Sequence, residues 1–240
     1  MKKFKNIFSN YYKSNTSYAP YESVLIFFIK KFKEIILTNN KKHICIFEFG
    51  SGSGNNLIFI FLFILGIKKF NYFNDFKIKN INLLNFNIYF PENNYFALKK
   101  FNYLYKKIIR LNEKNSMSHV KLDIKYSSLP KNIDIFIDRG SLFQHNSYKF
   151  IKGFIKKLYV NMNNNSYGLI STSSLNHYSS QSSIRNYYNL ITKNKILALL
   201  KDFYIEEFCK VKKSYKKDSK FYNTESYEIT IKKISSINTF

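Results

Sequence analysis

Three closely spaced glycines constrain this sequence more than any other feature. The chain has seven glycines in 240 residues, and Gly50, Gly52 and Gly54 lie within five positions of one another. They follow a short, mostly apolar run, residues 44–49, and precede a longer apolar run, residues 57–65. Glycine suits a loop that needs positive φ or lets its backbone approach a ligand, and the amides that begin a following helix can bind that ligand. The pattern predicts a strand, a ligand-binding loop and a helix.

The spacing of these glycines narrows the class of ligand. The dinucleotide-binding pattern G-x-G-x-x-G would need glycine at position 55 or 57, where the chain has Asn55 and Leu57. A phosphate-binding loop would need Gly-Lys followed by Ser or Thr, and no such triplet follows the glycines. A dinucleotide-dependent oxidoreductase is therefore disfavoured, while a purely structural turn between strand and helix stays open.

The full segment reads Glu-x-Gly-x-Gly-x-Gly from Glu48 to Gly54. It resembles motif I of the class I S-adenosylmethionine-dependent methyltransferases. The resemblance implies an enzyme with S-adenosyl-L-methionine as its cofactor, in which Glu48 lies beside the methionine amino group and the glycine backbone passes under the cofactor. The cofactor-binding residues expected in this segment are Glu48, Gly50, Ser51, Gly52, Gly54 and Asn55.

The order of the apolar segments predicts the fold class. Strands are expected at 44–49, 70–74, 120–122, 133–137, 168–171, 203–211 and 227–234, and helices at 21–37, 55–65, 93–110, 147–162 and 192–201. Residues 81–89 are ambiguous, and the Asn-rich stretch 161–166 reads as a turn. Alternating strands and helices imply a parallel sheet covered on both faces, and the two late strands suggest an antiparallel edge hairpin. We expect an α/β fold with a Rossmann-like, seven-stranded, mostly parallel sheet. It would form a single domain, residues 21–240, after an N-terminal arm or lid, residues 1–20.

Acids that follow strands are further candidates, because ligands of open α/β sheets bind outside the carboxyl ends of the strands. The resemblance implies one acid that accepts the ribose hydroxyls, and two residues compete for this role. Asp75 lies 27 residues after Glu48, close to the usual spacing of the family, whereas Glu92 follows the run 88–91. Spacing favours Asp75. The resemblance also assigns Asp123 to the adenine amino group, and a solvated surface acid is the alternative for each of the three.

A second motif begins at Asp138, directly after a predicted strand. Residues 138–145 read Asp-Arg-Gly-Ser-Leu and end in His, which resembles the segment after strand four in a subgroup of small-molecule methyltransferases. Asp138 and Arg139 therefore join the cofactor-binding candidates. Arg139 is one of three arginines beside 36 lysines, which favours a role for its planar guanidinium. Its partner could be a carboxylate of the cofactor or the substrate, or a structural ion pair to Asp138 or Glu48.

Two histidines are the candidate catalytic residues. His145 and His177 follow the expected fourth and fifth strands, and either could act as a general base if the acceptor must lose a proton. A surface or hydrogen-bonding role is the alternative for both. The chain lacks the Asn-Pro-Pro-Tyr and Asp-Pro-Pro-Tyr motifs of methyltransferases that act on base or glutamine nitrogens, so we expect a small-molecule, sugar or other metabolite acceptor.

The net charge of +24 is the main argument for another class of function, an RNA or DNA methyltransferase or a nucleic-acid binder. The charge is almost all lysine, spread along the chain, and Asn, Ile, Phe and Tyr are abundant too, as an AT-rich genome would produce. Nucleic acid is therefore not the expected partner. Cys45 and Cys209 belong to no CxxC pair and predict neither a metal site nor a disulfide. We expect a reduced, cytoplasmic chain without a membrane span.

Overall fold

The computed structural model describes residues 22–39, 41, 43–50, 56, 60, 85–89, 99, 102, 103, 106, 110, 120–123, 128–173, 191–217 and 220–235. The chain divides into two compact units, Met1–Ser128 and Leu129–Phe240. The predicted arm, residues 1–20, and the predicted strand 70–74 lie outside the described residues.

The first unit begins with helix α1, Glu22–Asn39. Val24, Phe28, Phe32 and Ile35 are fully buried, and their spacing of three or four residues is that of one helical face. The rings of Phe28 and Phe32 stack with their centroids 5.1 Å apart. The helix predicted from this apolar spacing is confirmed.

The described part of the first unit also contains three parallel strands. They are β1, His43–Phe49; β2, Asn85–Tyr89; and β3, Val120–Asp123, with β2 paired to both of the others. All the residues from 44 to 48 are buried, as expected for a parallel strand covered on both faces. The ambiguous segment 81–89 therefore contains the strand that lies next to β1.

The predicted helices that precede and follow β2 along the chain are described only in part. Asn56 and Ile60 are helical and buried, in the predicted helix 55–65. Residues 99, 102, 103, 106 and 110 are helical and exposed, in the predicted helix 93–110. The spacing of these five residues is that of one helical face, which agrees with an amphipathic helix directed to solvent along that side.

Within its described ranges the second unit has four strands, in the order β4-β5-β7-β6. Strand β4, Ile133–Asp138, pairs in parallel with β5, Met162–Ser173, and β5 pairs antiparallel with β7, Lys220–Lys233. Strand β6, Tyr204–Lys217, pairs antiparallel with β7, so the expected C-terminal hairpin is present. The core of this unit is apolar, and its fully buried strand residues include Ile135, Phe136, Ile137, Ile170, Ile229 and Ile231.

The described residues of the second unit contain three helices: α2, Ser141–His145; α3, Tyr148–Asn161; and α4, Lys193–Leu199. The Ser147 hydroxyl accepts a hydrogen bond from the amide of Phe150 at the start of α3. At the start of α4 the Thr192 hydroxyl accepts from the amide of Lys195, so Thr192 caps this helix. The short helix α2 is not among the helices expected from the sequence.

The Asn-rich stretch 161–166 was predicted to be a turn, but most of it belongs to a strand. Strand β5 already begins at Met162, and the β4–β5 register shifts between Ile133 and Ile135. Asn165 has φ of 57°, a conformation that Asn tolerates better than most residues. The side-chain amide of Asn163 donates to Asp134 Oδ1 at 2.8 Å. The asparagines therefore form an irregularity inside a strand, which local composition alone reads as a turn.

The C-terminal hairpin is longer than predicted. The Lys/Ser-rich segment between the two expected strands reads as a turn, but it is paired strand as far as Lys217 on one side and from Lys220 on the other. Cross-strand pairing continues from Val211 and Ser226 to these ends. Polar residues are poor strand signals on their own, because strand preference depends strongly on the neighbouring strand.

The architecture is a mixed α/β arrangement of paired strands with helices. In the described residues no helix is both long enough and apolar enough to cross a membrane.

Candidate functional site

The best-defined polar pair of the first unit joins the end of β1 to the helix that follows the glycine loop. Glu48, the penultimate residue of β1, is 1% exposed, and the helical Asn56 is 3% exposed. The side-chain amide of Asn56 donates a hydrogen bond to Glu48 Oε1 at 2.6 Å. A buried carboxylate is costly unless it is hydrogen-bonded, so this bond helps to retain Glu48 at the strand end.

The first glycine of the loop has the backbone conformation expected of it. Gly50 has φ of 64°, in the left-handed region that residues with a Cβ rarely adopt. The chain thus turns sharply two residues after Glu48, at the end of β1. Four other predicted cofactor-binding residues, Ser51, Gly52, Gly54 and Asn55, lie outside the described residues.

Asp123 ends β3, as predicted. Phe47 is in register with Tyr89 of β2, and Tyr89 is in register with Asp123. The backbone of Asp123 therefore lies two strands from Phe47, about 10 Å away for strands ~4.8 Å apart. Because all three strands are parallel, Glu48 and Asp123 belong to the same edge of the sheet.

Asp138 ends β4 and is fully buried. Its Oδ1 accepts hydrogen bonds from the backbone amides of Gly140, at 3.1 Å, and Leu142, at 3.0 Å. Burial raises the pKa of this carboxyl to about 7, although those backbone amides and the charge of Arg139 act in the opposite direction. Oδ2 is buried and has no hydrogen-bond partner in the described part of the chain. One oxygen of this predicted cofactor-binding residue thus holds the turn that leads into α2.

Arg139 is directed to β5 and β7. Its Nη1 donates to Ser171 Oγ at 2.9 Å and to Glu228 Oε1 at 3.0 Å. Ser171 and Glu228 are direct partners in the β5–β7 register, so the guanidinium bridges two neighbouring strands. The sequence suggested Asp138 or Glu48 as a structural ion-pair partner of Arg139, and it did not suggest Glu228. Arg139 forms a salt bridge to an acid 89 residues further along the chain.

Gly140 completes the Asp-Arg-Gly turn. Its φ of 100° is unfavourable for any residue with a side chain, and a Cβ there would lie 2.7 Å from Gln144 Nε2. Gly140 therefore allows the chain to pass directly from β4 into α2. That helix ends at the candidate base His145, whose side chain is not described.

The other candidates are not placed. Asp75, its rival Glu92 and the second candidate base, His177, lie outside the described residues. Among the described residues no group of three or more His, Cys, Asp or Glu side chains could hold a metal ion.

Sequence reasoning missed three residues of these clusters. Asn56 had a signal, because it lies eight positions after Glu48 and near the start of the expected helix. Ser171 and Glu228 had none, since their pairing with Arg139 depends on how β5 and β7 meet. Ser171 and Glu228 were identifiable only from side-chain contacts.

Comparison with solved structures addresses the fold. An S-adenosylmethionine-dependent methyltransferase from Methanosarcina mazei superposes with a TM-score of 0.50 at 12% identity, covering 83% of this chain and 97% of that chain. A protein from Listeria monocytogenes assigned to the class I S-adenosylmethionine-dependent methyltransferases gives 0.54 at 11% identity, covering 98% and 68%. The chain has the class I methyltransferase fold.

TehB from Haemophilus influenzae also superposes on this chain, with a TM-score of 0.53 at 12% identity and 85% of this chain covered. The matched region is 61% of TehB, so this chain spans less than two thirds of that protein. No protein-family model matches the sequence, and no curated protein matches it significantly. At such identities the likeness concerns the fold and not the substrate.

Proposed function

We propose that this chain is an S-adenosylmethionine-dependent methyltransferase that acts on a small molecule, a sugar or another metabolite. The observation that carries the proposal is the buried Glu48, held by Asn56 at the end of β1, where Gly50 turns the chain with φ of 64°. The same elements begin the cofactor site implied by motif I, and the fold is that of this class of enzyme.

The donor set fits the cofactor. Glu48 offers a buried anionic oxygen to the ammonium group of the methionine part, and ionised Asp123 can only accept, which suits the adenine amino group. Residues 50–54 would pass beneath the cofactor with little side-chain bulk. When bound, the cofactor supplies a methyl group already activated on a sulfonium, so the protein mainly orients the reactants and excludes water. His145 or His177 would accept the proton of an acceptor that must lose one.

Glu92 is our proposal for the acid that binds the ribose. The strand beside β1 is Asn85–Tyr89, and Glu92 follows it by three residues, whereas Asp75 precedes it by ten. This reverses the preference based on spacing from Glu48. Residues 70–84 are then an insertion before the second strand of the sheet.

Asp138 and Arg139 have a structural role in the proposed enzyme. Their described contacts hold the turn before α2 and connect it to β5 and β7. We propose that their main role is to hold this turn at the end of β4. A single seven-stranded, mostly parallel sheet and a cytoplasmic location belong to the same proposal.

Calorimetry with S-adenosylhomocysteine and, in parallel, NAD tests the proposed function. The folded wild type should bind S-adenosylhomocysteine at one site per chain and should not bind NAD. Glu48→Gln should weaken S-adenosylhomocysteine at least tenfold, because a charge-assisted hydrogen bond contributes roughly 1.5–3 kcal/mol and ~1.4 kcal/mol corresponds to a factor of ten.

Asp202→Asn is the matched control, since Asp202 is an exposed acid in the turn before β6. It should leave the affinity for S-adenosylhomocysteine unchanged. Binding of NAD, or a folded wild type that binds no S-adenosylhomocysteine, would refute the methyltransferase proposal.

A further inference from the structure

Helix α3 has one buried side and one exposed, basic side. The buried side contacts β4, where the rings of Phe154 and Phe136 have their centroids 6.2 Å apart. Opposite this contact the helix is exposed, and α3 has four lysines and no acidic residue. The α3 basic face, as we call this exposed side, consists of Lys149, Lys152, Gly153, Lys156, Lys157 and Val160. Nothing in the described structure lies within 4 Å of a Cβ built at Gly153, so the centre of this face is open.

The lysines of the α3 basic face have no acidic partner in the described part of the chain. On α1, by contrast, Lys31 forms a salt bridge to Glu34 at 3.0 Å. Within α3, Lys149, Lys152 and Lys156 are three or four residues apart, a spacing at which like charges repel. The first two also lie near the N-terminal end, where the helix dipole disfavours cations. The stability of the helix therefore does not account for these lysines, whereas an anionic partner would neutralise their charge.

Exposed apolar and aromatic side chains lie at both ends of the α3 basic face. Tyr148 and Phe150, in the first turn, are each 47% exposed, and Val160, in the last turn, is 76% exposed. Aromatic rings of this kind favour the headgroup level of a bilayer. Lysine stems can lie along apolar material while their ammonium groups stay in water. Lysines without acids, flanked by exposed apolar side chains, are typical of a surface that binds an anionic bilayer.

The neighbouring helix α4 has the same character. It packs against α3, and it contains no acidic residue, while its two lysines, Lys193 and Lys195, are exposed. Neither helix contains arginine. A site for one defined phosphate or carboxylate would favour the bidentate guanidinium of arginine, whereas the ammonium group of lysine acts as a point charge. Lysines alone therefore suit a diffuse layer of negative headgroups better than a defined nucleic-acid or carboxylate site.

We propose that the α3 basic face binds the surface of an anionic phospholipid bilayer. The four lysines of α3 lie against the headgroups, and Tyr148, Phe150 and Val160 reach the interface between headgroups and acyl chains. Each lysine adds attraction that falls off within a Debye length of the surface, so the association is reversible and sensitive to salt. This binding is separate from methyl transfer and does not depend on the proposed function.

Co-sedimentation with vesicles of phosphatidylglycerol and phosphatidylcholine tests the role of the lysines. The α3 variant replaces its four lysines by glutamine, and the control variant does the same to four exposed lysines from other elements, so both lose four positive charges. The control positions are Lys30, Lys99, Lys131 and Lys212. We expect the α3 variant to bind these vesicles at least tenfold more weakly than the wild type, and the control variant within about threefold of it. Vesicles of phosphatidylcholine alone should bind none of the three proteins.

A fluorescent reporter locates the contact in the otherwise unchanged chain. The sequence contains no tryptophan, so Tyr148→Trp introduces a single reporter at one end of the α3 basic face. Tyr103→Trp is the matched control, because Tyr103 is a 56% exposed helical residue of the first unit. Anionic vesicles should shift the emission to the blue at position 148, where brominated lipid should quench it, and should do neither at position 103. This measurement keeps the lysines, so it decides the proposal even if the α3 variant does not fold.

Three outcomes would overturn the proposal. Equal losses in the two lysine variants would mean that only the net charge matters, and a blue shift at position 103 but not at 148 would place the contact elsewhere. Binding to polyglutamate or to a DNA duplex that depends on the α3 lysines and exceeds binding to the vesicles would assign the face to a protein or nucleic acid. Both lysine variants should bind S-adenosylhomocysteine like the wild type, so failure of the vesicle experiments would leave the proposed function standing.

Discussion

Asp138 shows at the scale of one residue how burial changes the chemistry of a carboxyl group. Burial raises its pKa from 3.8 to about 7, against the opposing effects of the Leu142 and Gly140 amides and of Arg139. The folded chain therefore holds this proton more tightly than the unfolded chain does. The resulting contribution to stability is fully present below about pH 4 and is lost as the pH rises through about 7.

Asp138→Asn should remove this pH dependence. The isosteric amide keeps an oxygen that can accept from Gly140 and Leu142, but it does not titrate. Between pH 4 and pH 7 the free energy of unfolding of the wild type should fall relative to that of the variant by up to about 1.4 kcal/mol per pH unit. Urea denaturation across this range measures the difference. Parallel pH profiles for the wild type and Asp138→Asn would contradict the assignment, and the exposed Asp202→Asn should follow the wild type.

At the scale of elements, the position of β2 is the reason for proposing Glu92 rather than Asp75 as the acid that binds the ribose. In an open α/β sheet the ligand-binding residues follow the carboxyl ends of the strands. The strand next to β1 ends at Tyr89, which favours Glu92 and leaves Asp75 before that strand. The glycine loop alone could not decide between them.

Glu92→Ala should weaken S-adenosylhomocysteine at least tenfold, because a carboxylate that accepts both ribose hydroxyls loses two hydrogen bonds, each worth roughly 1.5–3 kcal/mol. Asp75→Ala should change the affinity by less than about twofold. Titration calorimetry of the two single variants gives the comparison. A loss confined to Asp75→Ala would restore the assignment made from spacing.

At the scale of the whole molecule, we attribute the net charge of +24 to the overall excess of lysine and not to a specific nucleic-acid site. Exposed lysines occur on α1, at Lys30 and Lys33, and on α3, at Lys152, Lys156 and Lys157. They therefore lie in both units. A specific nucleic-acid site would more often use clustered arginines that read base edges, and arginine is rare here.

Binding to nucleic acid should accordingly be weak and controlled by salt. Fluorescence anisotropy with a labelled RNA and a labelled DNA duplex should show some binding at about 50 mM salt, from counterion release. At about 0.15 M salt the affinity should be weaker than about 10 µM for both. Tight binding of either nucleic acid that survives this higher salt would favour the RNA or DNA methyltransferase as the function.

Local sequence patterns were enough to predict the features that depend on backbone conformation and on the spacing of apolar residues. The apolar runs at β1 and β4 predicted buried strands, the spacing of Phe28 and Phe32 predicted a helix, and Gly50 marked a turn with positive φ. A few consecutive residues are enough to predict these features, because a strand covered on both faces must be apolar and a left-handed turn excludes most side chains.

Which segments pair as strands, and which side chains bond to one another, became clear only from the folded chain. It selected 85–89 as the partner of β1, extended the hairpin through residues that read as a turn, and paired Arg139 with Glu228 and Asn56 with Glu48. Neither the strand partner nor the acid 89 residues away is encoded in a local pattern. A strand edge or a guanidinium is satisfied by any suitable group, and the fold determines which such group lies within hydrogen-bond distance.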